Sequence, residues 1–190
     1  MKLLILDNYD SFTYNLVHLI EKVSTIKFEV IRNDQISLED IQHFDSILLS
    51  PGPGLPSSAG IMPELIKQYG STKNILGVCL GMQAIGEAYG ATLNNLDKVC
   101  HGQSTPIHIL EDDELFKNCP NEFTVGRYHS WVVNKINFPV SLQITAQDHD
   151  GNIMALKHKT HNVRGVQFHP ESILSEYGDL IMSNWLNSNL

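Results

Sequence analysis

The first half of the chain alternates short apolar runs with stretches of helical periodicity. Residues 2 to 6 (KLLIL) form a continuous apolar run that stops at Asp7, as expected of a strand buried on both faces. From Ser11 onward, apolar side chains recur every three or four residues, which indicates a helix that Asp10 or Ser11 can cap. Such alternation is typical of parallel strands joined by helical crossovers. We therefore predict an α/β fold with an open, mostly parallel sheet flanked by helices.

The pattern changes beyond residue 100. Before that point, buried strands are predicted at 27 to 31, 45 to 49 and 74 to 78, and helical segments at 37 to 44, 59 to 69 and 82 to 90. After it, strands are predicted in close succession at 105 to 110, 122 to 128, 140 to 146, 152 to 157 and 163 to 168, followed by a helix at 174 to 187. Consecutive strands favour an added antiparallel section in the second half. Because no linker separates the halves, we predict one domain over residues 1–190.

Composition and charge exclude several classes of protein. With 42% hydrophobic and 18% charged residues, the chain is typical of a globular protein. Its net charge of -8, without a basic run, argues against a nucleic-acid partner. Apolar runs are too short for a membrane span, and Asp7 interrupts the N-terminus too early for a signal peptide, so we predict a cytoplasmic protein. Three cysteines without a CxxC pair favour free thiols.

Cys79 stands in a glycine-flanked turn between a predicted strand and a predicted helix. Residues 77 to 81 read GVCLG, which is the pattern of a nucleophile elbow, where glycines relieve crowding around a strained, exposed nucleophile. Unpaired N–H groups in the first helical turn favour a thiolate, and the N–H of Leu80 would be one oxyanion donor. A small, unreactive buried cysteine is the alternative.

His169 and Glu171 follow the last predicted strand. Pro170 disfavours a helical conformation at His169, so the two side chains can share one side of an extended chain. The carboxylate can then hold the Nδ1–H group of the imidazole and present Nε2 to a thiol, as in a Cys-His-acid triad. Since the carboxyl ends of parallel strands meet at one edge of a sheet, Cys79 can lie nearby. A surface turn with a solvated carboxylate is the alternative.

A rigid loop follows the strand predicted at 45 to 49. Its sequence is SPGPGLP, in which prolines limit flexibility while Gly52 and Gly54 allow a close approach of the backbone to a ligand. The N–H group of Gly54 could point at a developing oxyanion and complement Leu80. Proline and glycine mark plain surface turns equally well, so this alternative stays open.

Taken together, SPGPG, GVCLGMQ and HPES closely resemble the motifs of class I (triad) glutamine amidotransferases, in this order and each after a predicted strand. The resemblance covers essentially the whole chain and implies a triad of Cys79, His169 and Glu171. It further implies oxyanion donors at Gly54 and Leu80 and glutamine contacts at Gly52, Pro53, Gly54, Gln83, Ser130 and Trp131. The family more often has leucine at position 131, where the contact is expected to use the backbone.

Three further segments indicate which members of this family the chain resembles most. DNYDSFTYNL at 7 to 16, HGQST at 101 to 105 and FHPESILSEYG at 168 to 178 are similar to the glutaminase component of anthranilate synthase, and to that of aminodeoxychorismate synthase. These two components share nearly all their motifs; we favour anthranilate synthase, of tryptophan biosynthesis, over its folate-pathway counterpart. The resemblance implies that L-glutamine is hydrolysed through a Cys79 thioester and that ammonia passes to a separate chorismate-binding synthase subunit.

Further expectations concern the partner and cofactors. By resemblance, His101, Gly102 and Ser104 are candidates for the partner surface, with an ordinary polar turn as the alternative. No cofactor is expected in this chain, whereas the synthase subunit is expected to need Mg²⁺. His158 and His161 suggest a metal site only weakly, because no third ligand has diagnostic spacing.

Two other functions stay open. One is a peptidase or γ-glutamyl hydrolase that uses the same triad on larger substrates. The other is a catalytically inactive scaffold that only binds and regulates a partner.

Overall fold

A nine-stranded mixed sheet runs through residues 2–188, which are the residues that the computed structural model describes. Its strands are β1 (Lys2–Asp7), β2 (Lys27–Arg32), β3 (Ser46–Leu49), β4 (Asn74–Val78), β5 (Leu93–Ile109), β6 (Glu122–Val133), β7 (Leu142–Asp148), β8 (Ile153–His158) and β9 (Val163–Val166). The α-helices are α1 (Thr13–Val23), α2 (Met62–Tyr69), α3 (Leu80–Ala88) and α4 (Gly178–Asn187). Short 3-10 helices lie at Glu39–His43, Pro56–Ser58 and Glu114–Phe116.

The strand order is β2-β1-β3-β4-β9-β8-β7-β5-β6. Strands β2, β1, β3, β4 and β9 pair in parallel, and β9, β8, β7, β5 and β6 pair antiparallel. The predicted α/β fold, with an antiparallel section in the second half, is confirmed. Strand β9 belongs to both parts, because it pairs in parallel with β4 and antiparallel with β8.

Alternate side chains of β1 enter two hydrophobic cores, one on each face of the sheet. Leu3 and Ile5 belong to the core that contains buried residues of α1 and α4, and Leu4 and Leu6 belong to the core beneath α2 and α3. All four side chains are fully buried, and each contributes about 1.5–3 kcal/mol of hydrophobic stabilisation. Burial on both faces explains why β1 lacks alternating polar residues.

Several predicted boundaries differ from the structure. The segment 37 to 44 forms only the 3-10 helix Glu39–His43, and the helices predicted from 59 and 174 begin at Met62 and Gly178. The predicted cap of α1 was wrong: Phe12 is the N-cap residue and makes no side-chain cap hydrogen bond. Asp10 instead accepts a hydrogen bond from the backbone N–H of Phe12.

Strand β5 is much longer than the predicted segment 105 to 110. It begins at Leu93, and its register with β6 shifts between Asn95 and Cys100 and between His101 and Gln103. Such bulges interrupt the two-residue period by which strands are recognised in a sequence. Gly102 has a φ of 65°, a conformation that glycine adopts without strain. The first part of β5 was therefore missed.

The parallel strands bring four chain segments to one edge of the sheet. Asn8 follows β1, the SPGPG loop follows β3, Cys79 follows β4, and His169 lies shortly beyond β9. These segments lie close together because the carboxyl ends of parallel strands share an edge. Across residues 2–188, none of the helices has the length and hydropathy required to span a membrane. The single domain over residues 1–190 stays a prediction.

Candidate active site

Cys79 occupies the turn between β4 and α3 with a φ of 54° and a ψ of -102°. A positive φ is strained for a residue with a side chain and is found mostly where surrounding structure enforces it. Close packing at the two flanking glycines holds the backbone of Cys79 in this conformation. A Cβ at Gly77 would lie 2.4 Å from the carbonyl carbon of Gly81, and a Cβ at Gly81 would lie 2.6 Å from the carbonyl oxygen of Leu49. The elbow predicted from GVCLG is therefore present and closely packed against β3.

His169 and Glu171 form a buried pair behind the cysteine. The Nδ1 atom of His169 lies 2.7 Å from Oε1 of Glu171, and both side chains are almost completely excluded from solvent. Two rings, those of Phe12 and Tyr128, contact the imidazole edge-to-face with centroid separations of 5.0 Å. The backbone N–H of His169 also donates to the carbonyl of Gly126 at 3.0 Å. The ring is thus fixed on several sides.

The pKa of His169 reflects two opposing effects. Burial disfavours the charged ring, but interactions with the Cys79 sulfur and the Glu171 carboxylate outweigh it and raise the pKa to about 10. Among the described residues, Nε2 of His169 has no hydrogen-bond partner of standard geometry, so its interaction with the sulfur is not an ideally aligned hydrogen bond. Hydrogen bonds between catalytic groups are often long before substrate binds. An imidazolium beside the sulfur is therefore favoured.

The SPGPG loop is held against the elbow by Asn8. The side-chain amide of Asn8 donates to the carbonyl of Ser50 at 2.8 Å, and its backbone N–H donates to Oγ of Ser50 at 2.9 Å. The amide of Asn33 donates to Oδ1 of Asn8 at 2.9 Å. A Cβ at Gly52 would lie 2.7 Å from atoms of both Asn8 and Leu80. Close packing at this glycine fixes the loop beside the first turn of α3.

A cavity of about 170 Å³ opens in front of Cys79. It is lined by Gly52, Gly54, Cys79, Leu80, Gln83, Val99, Cys100, His101, Tyr128, His129, Ser130 and Trp131. Seven of the positions predicted to bind or hydrolyse glutamine therefore line one cavity, while His169 and Glu171 lie behind the cysteine. Gly54 has a φ of 75°, and a Cβ there would meet nothing within 4 Å. Its conformation, rather than crowding, accounts for glycine at this position.

Besides His169 and Glu171, three predicted residues do not line the cavity. Pro53 is exposed on the outer side of its loop, and Gly102 and Ser104 are exposed on β5. His101, by contrast, is exposed and lines the cavity, with its ring 5.9 Å from that of Tyr128. The predicted partner surface thus borders the cavity only at His101.

Gln83 and Gln167 link the cysteine to β6. The side-chain amide nitrogen of Gln83 lies 2.9 Å from the carbonyl oxygen of Trp131 and 3.2 Å from Oε1 of Gln167. The amide nitrogen of Gln167 lies 3.6 Å from the Cys79 sulfur. Sequence reasoning missed Gln167, although a polar residue between the apolar Val166 and Phe168 was a signal for it. The contact of Gln83 with substrate stays a prediction.

His129 was also missed, and its surroundings keep it neutral. Burial and the neighbouring guanidinium of Arg127 lower the pKa of His129 to about 3. Arg127 donates from Nε to Nε2 of His129 at 3.1 Å and forms an ion pair with Asp148 at 2.7 Å. The other ring nitrogen, Nδ1, therefore carries the proton and donates to the carbonyl of Trp131 at 3.0 Å.

The depressed pKa of His129 predicts a loss of stability in acid. Between about pH 6.5 and pH 3 the unfolded chain binds a proton that the folded chain does not, so unfolding becomes easier as the pH falls. This residue contributes up to about 1.4 kcal/mol per pH unit to the free energy of unfolding. In His129→Gln, we expect the free energy of unfolding, measured by urea denaturation, to depend less steeply on pH between 6.5 and 4. The exposed His18 provides the control, His18→Gln, which should match the wild-type slope. Parallel curves for His129→Gln and wild type would contradict the assignment.

One group of side chains elsewhere in the described region could hold a metal ion. It consists of His108, Glu122 and His149, whose ligand atoms lie within 4.8 Å of one another. The two ring nitrogens of His108 already contact the other two residues, at 3.1 Å to Glu122 and 2.9 Å to His149. The group lies at the far end of β5 from His101 and takes no part in the cavity.

Comparisons with known proteins agree with this geometry. Residues 4–188 match the family model described as glutamine amidotransferase class-I. The chain is 45% identical over 191 residues to anthranilate synthase component 2 of Pseudomonas aeruginosa, covering 97% of this chain and 94% of that protein. It is 44% identical over 191 residues to the chloroplastic anthranilate synthase beta subunit 2 of Oryza sativa subsp. japonica, covering 97% and 70%. A solved glutamine amidotransferase from Thermotoga maritima shares the fold, with a TM-score of 0.77 and 14% identity over 99% of this chain and 81% of that one. The chain therefore belongs to the class-I glutamine amidotransferase family.

Proposed function

We propose that this chain is the glutaminase subunit of an anthranilate synthase. It hydrolyses L-glutamine to glutamate and passes the ammonia to a chorismate-binding synthase subunit. The observation that carries the proposal is the position of Cys79, on a strained elbow between a small cavity and the buried pair of His169 and Glu171. The relatives named as anthranilate synthase components support the choice of pathway.

The first chemical step forms a thioester. The Cys79 thiolate attacks the carboxamide carbon of glutamine, and the N–H groups of Gly54 and Leu80 stabilise the oxyanion that develops. The imidazolium of His169 gives its proton to the departing nitrogen as the C–N bond breaks, which releases ammonia and leaves a γ-glutamyl thioester on the sulfur. The raised pKa of His169 supplies this proton at neutral pH.

The second step hydrolyses the thioester. The now neutral imidazole removes a proton from a water molecule, whose oxygen attacks the thioester carbon. Glutamate leaves, the sulfur returns as a thiolate and His169 is again an imidazolium. Throughout both steps Glu171 keeps the ring in one orientation through its contact with Nδ1.

The size of the cavity favours a free amino acid over a larger substrate. Its volume of about 170 Å³ is below the roughly 300–1,000 Å³ of pockets that hold drug-sized ligands. Gly52, Gln83, Ser130 and Trp131 line it and are proposed to grip the glutamine. Such a site disfavours the peptidase alternative. Cys79 lines the cavity and its sulfur interacts with His169, which disfavours an inactive scaffold.

The partner is proposed to be a separate, larger synthase subunit that needs Mg²⁺, with both subunits in the cytoplasm. The exposed side chains of Val99 and His101 border the cavity, which suggests that the partner covers its entrance. Ammonia would then avoid protonation in water. Aminodeoxychorismate synthase is the second candidate, because nearly all motifs that support one assignment support both.

Reconstitution with each type of synthase subunit tests the pathway. The chain is combined with an anthranilate synthase large subunit, or with an aminodeoxychorismate synthase large subunit, and supplied with glutamine, chorismate and Mg²⁺. We expect glutamine-dependent formation of anthranilate, detected by fluorescence. Formation of aminodeoxychorismate alone would favour the second candidate, and activity with both would indicate a shared subunit. If neither complex hydrolyses glutamine, the proposal is refuted.

A further inference from the structure

Gln167 is a fully buried polar residue directly behind the cysteine. It follows β9, and its backbone N–H donates to the carbonyl of Met154 at 2.8 Å. Its side-chain amide reaches Gln83 on one side and the Cys79 sulfur on the other. When the oxygen and the nitrogen of a buried amide both have partners, moving the amide leaves polar atoms without hydrogen bonds and costs free energy.

The orientation of this amide follows from a chain of hydrogen bonds that begins at a buried ion pair. Asp148 holds Arg127, and Arg127 donates to Nε2 of His129. An arginine has no acceptor, so Nε2 must accept, and the proton of neutral His129 must lie on Nδ1. This group donates to the carbonyl of Trp131.

The same carbonyl fixes both glutamines. Because a carbonyl only accepts, the end of the Gln83 amide that faces Trp131 must be the NH₂ group. That NH₂ group also reaches Gln167, so the atom of Gln167 that faces Gln83 must be its oxygen. The NH₂ group of Gln167 is then left facing the sulfur of Cys79. The opposite assignment would place two donors against each other.

We propose that Gln167 is a positioning residue that holds the Cys79 thiolate through a hydrogen bond from its amide, with its orientation dictated by the Trp131 carbonyl. Hydrogen bonding to the charged form of a group favours that form. A neutral amide also cannot exchange a proton with the sulfur, so it leaves His169 as the proton carrier. The inference rests on the proposed function in one respect, namely that Cys79 is the nucleophile.

Alkylation of Cys79 tests the inference without glutamine or a partner. The rate of reaction with iodoacetamide is measured from pH 4 to pH 9 in wild type, Gln167→Met and Gln167→Glu, with the modified cysteine identified by mass spectrometry. Methionine keeps the length but removes the donor, and we expect the midpoint of the pH profile to rise by about one unit. The rate well below the midpoint should fall about tenfold. Glutamate places an acceptor beside the sulfur and should raise the midpoint further.

Two more variants separate this role from a structural one. Gln143→Met alters a half-buried glutamine on β7 away from the cavity and should leave the profile unchanged. Gln83→Met removes the donor that orients Gln167 and should raise the midpoint by a smaller amount, which keeps the test decisive if the Gln167 variants do not fold. If wild-type Cys79 is alkylated normally but the midpoint is unchanged in Gln83→Met and in every folded Gln167 variant, the inference is overturned and the proposed function is not affected. Failure of wild-type Cys79 to react selectively would count against the proposed function instead.

Discussion

Replacing Cys79 with alanine is expected to lower glutamine hydrolysis by about 10⁴-fold or more. The reason is that the thioester cannot form, and the remaining members of such a triad contribute little without the nucleophile. The substitution removes one sulfur atom and leaves the backbone of the elbow unchanged. Ammonia release from glutamine is the direct measurement, with the chain alone and with its synthase partner.

The partner's own reaction should survive this change. When ammonium replaces glutamine, the complex containing Cys79→Ala should form its aromatic product at the wild-type rate, because the nitrogen source no longer depends on the sulfur. Cys119→Ala is a matched control: burial raises the pKa of the Cys119 thiol to about 11, which keeps it unreactive near neutral pH. Glutamine-driven synthesis that persists in Cys79→Ala would refute the proposed nucleophile.

Gly77→Ala is expected to lower the stability of the protein strongly. The new Cβ would lie 2.4 Å from the carbonyl carbon of Gly81, and a backbone atom cannot move aside as a flexible side chain can. We expect the free energy of unfolding to fall by roughly 3–5 kcal/mol. Urea denaturation monitored by tryptophan fluorescence, to which the fully buried Trp185 contributes, measures this loss.

A substitution at a second glycine distinguishes the stability cost of steric overlap from the cost of an unfavourable backbone conformation. Gly90 has a φ of 100°, and a Cβ there would meet nothing within 4 Å. Gly90→Ala should therefore cost only the strain of a positive φ, about 1–2 kcal/mol. Equal losses in the two variants would show that the packing between Gly77 and Gly81 does not stabilise the elbow.

Most of the parallel half of the sheet could be predicted because β1, β3 and β4 are buried on both faces. The burial predicted for 27 to 31 was wrong, since β2 lies at the sheet edge and is partly exposed. The runs at 2 to 6 and 74 to 78 are continuous and apolar, and their lengths match β1 and β4 closely. The order of motifs along the chain then identified the segments that meet at one edge. Cys79, Gly54 and Ser130 line a common cavity as expected.

What could not be predicted depends on contacts between strands. The start of β5 escaped recognition because bulges near Cys100 and Gly102 interrupt its period. His129 and Gln167 gave no motif of their own, since their roles arise from neighbours on β6, β7 and α3. The cap of α1 was misassigned: the hydroxyl of Thr13 donates to Asp7, and Phe12 stands at the helix start.

Strand β9, shared by the parallel and antiparallel parts, has a consequence for motion. The elements that carry Cys79 and His169 follow β4 and β9, which pair at the centre of nine strands rather than at a rim. Central strands open only when the whole domain unfolds, whereas edge strands fray at little cost. The reactive pair should thus keep its spacing during ordinary fluctuations, while the irregular part of β5 around the exposed Val99 can adjust to whatever covers the cavity.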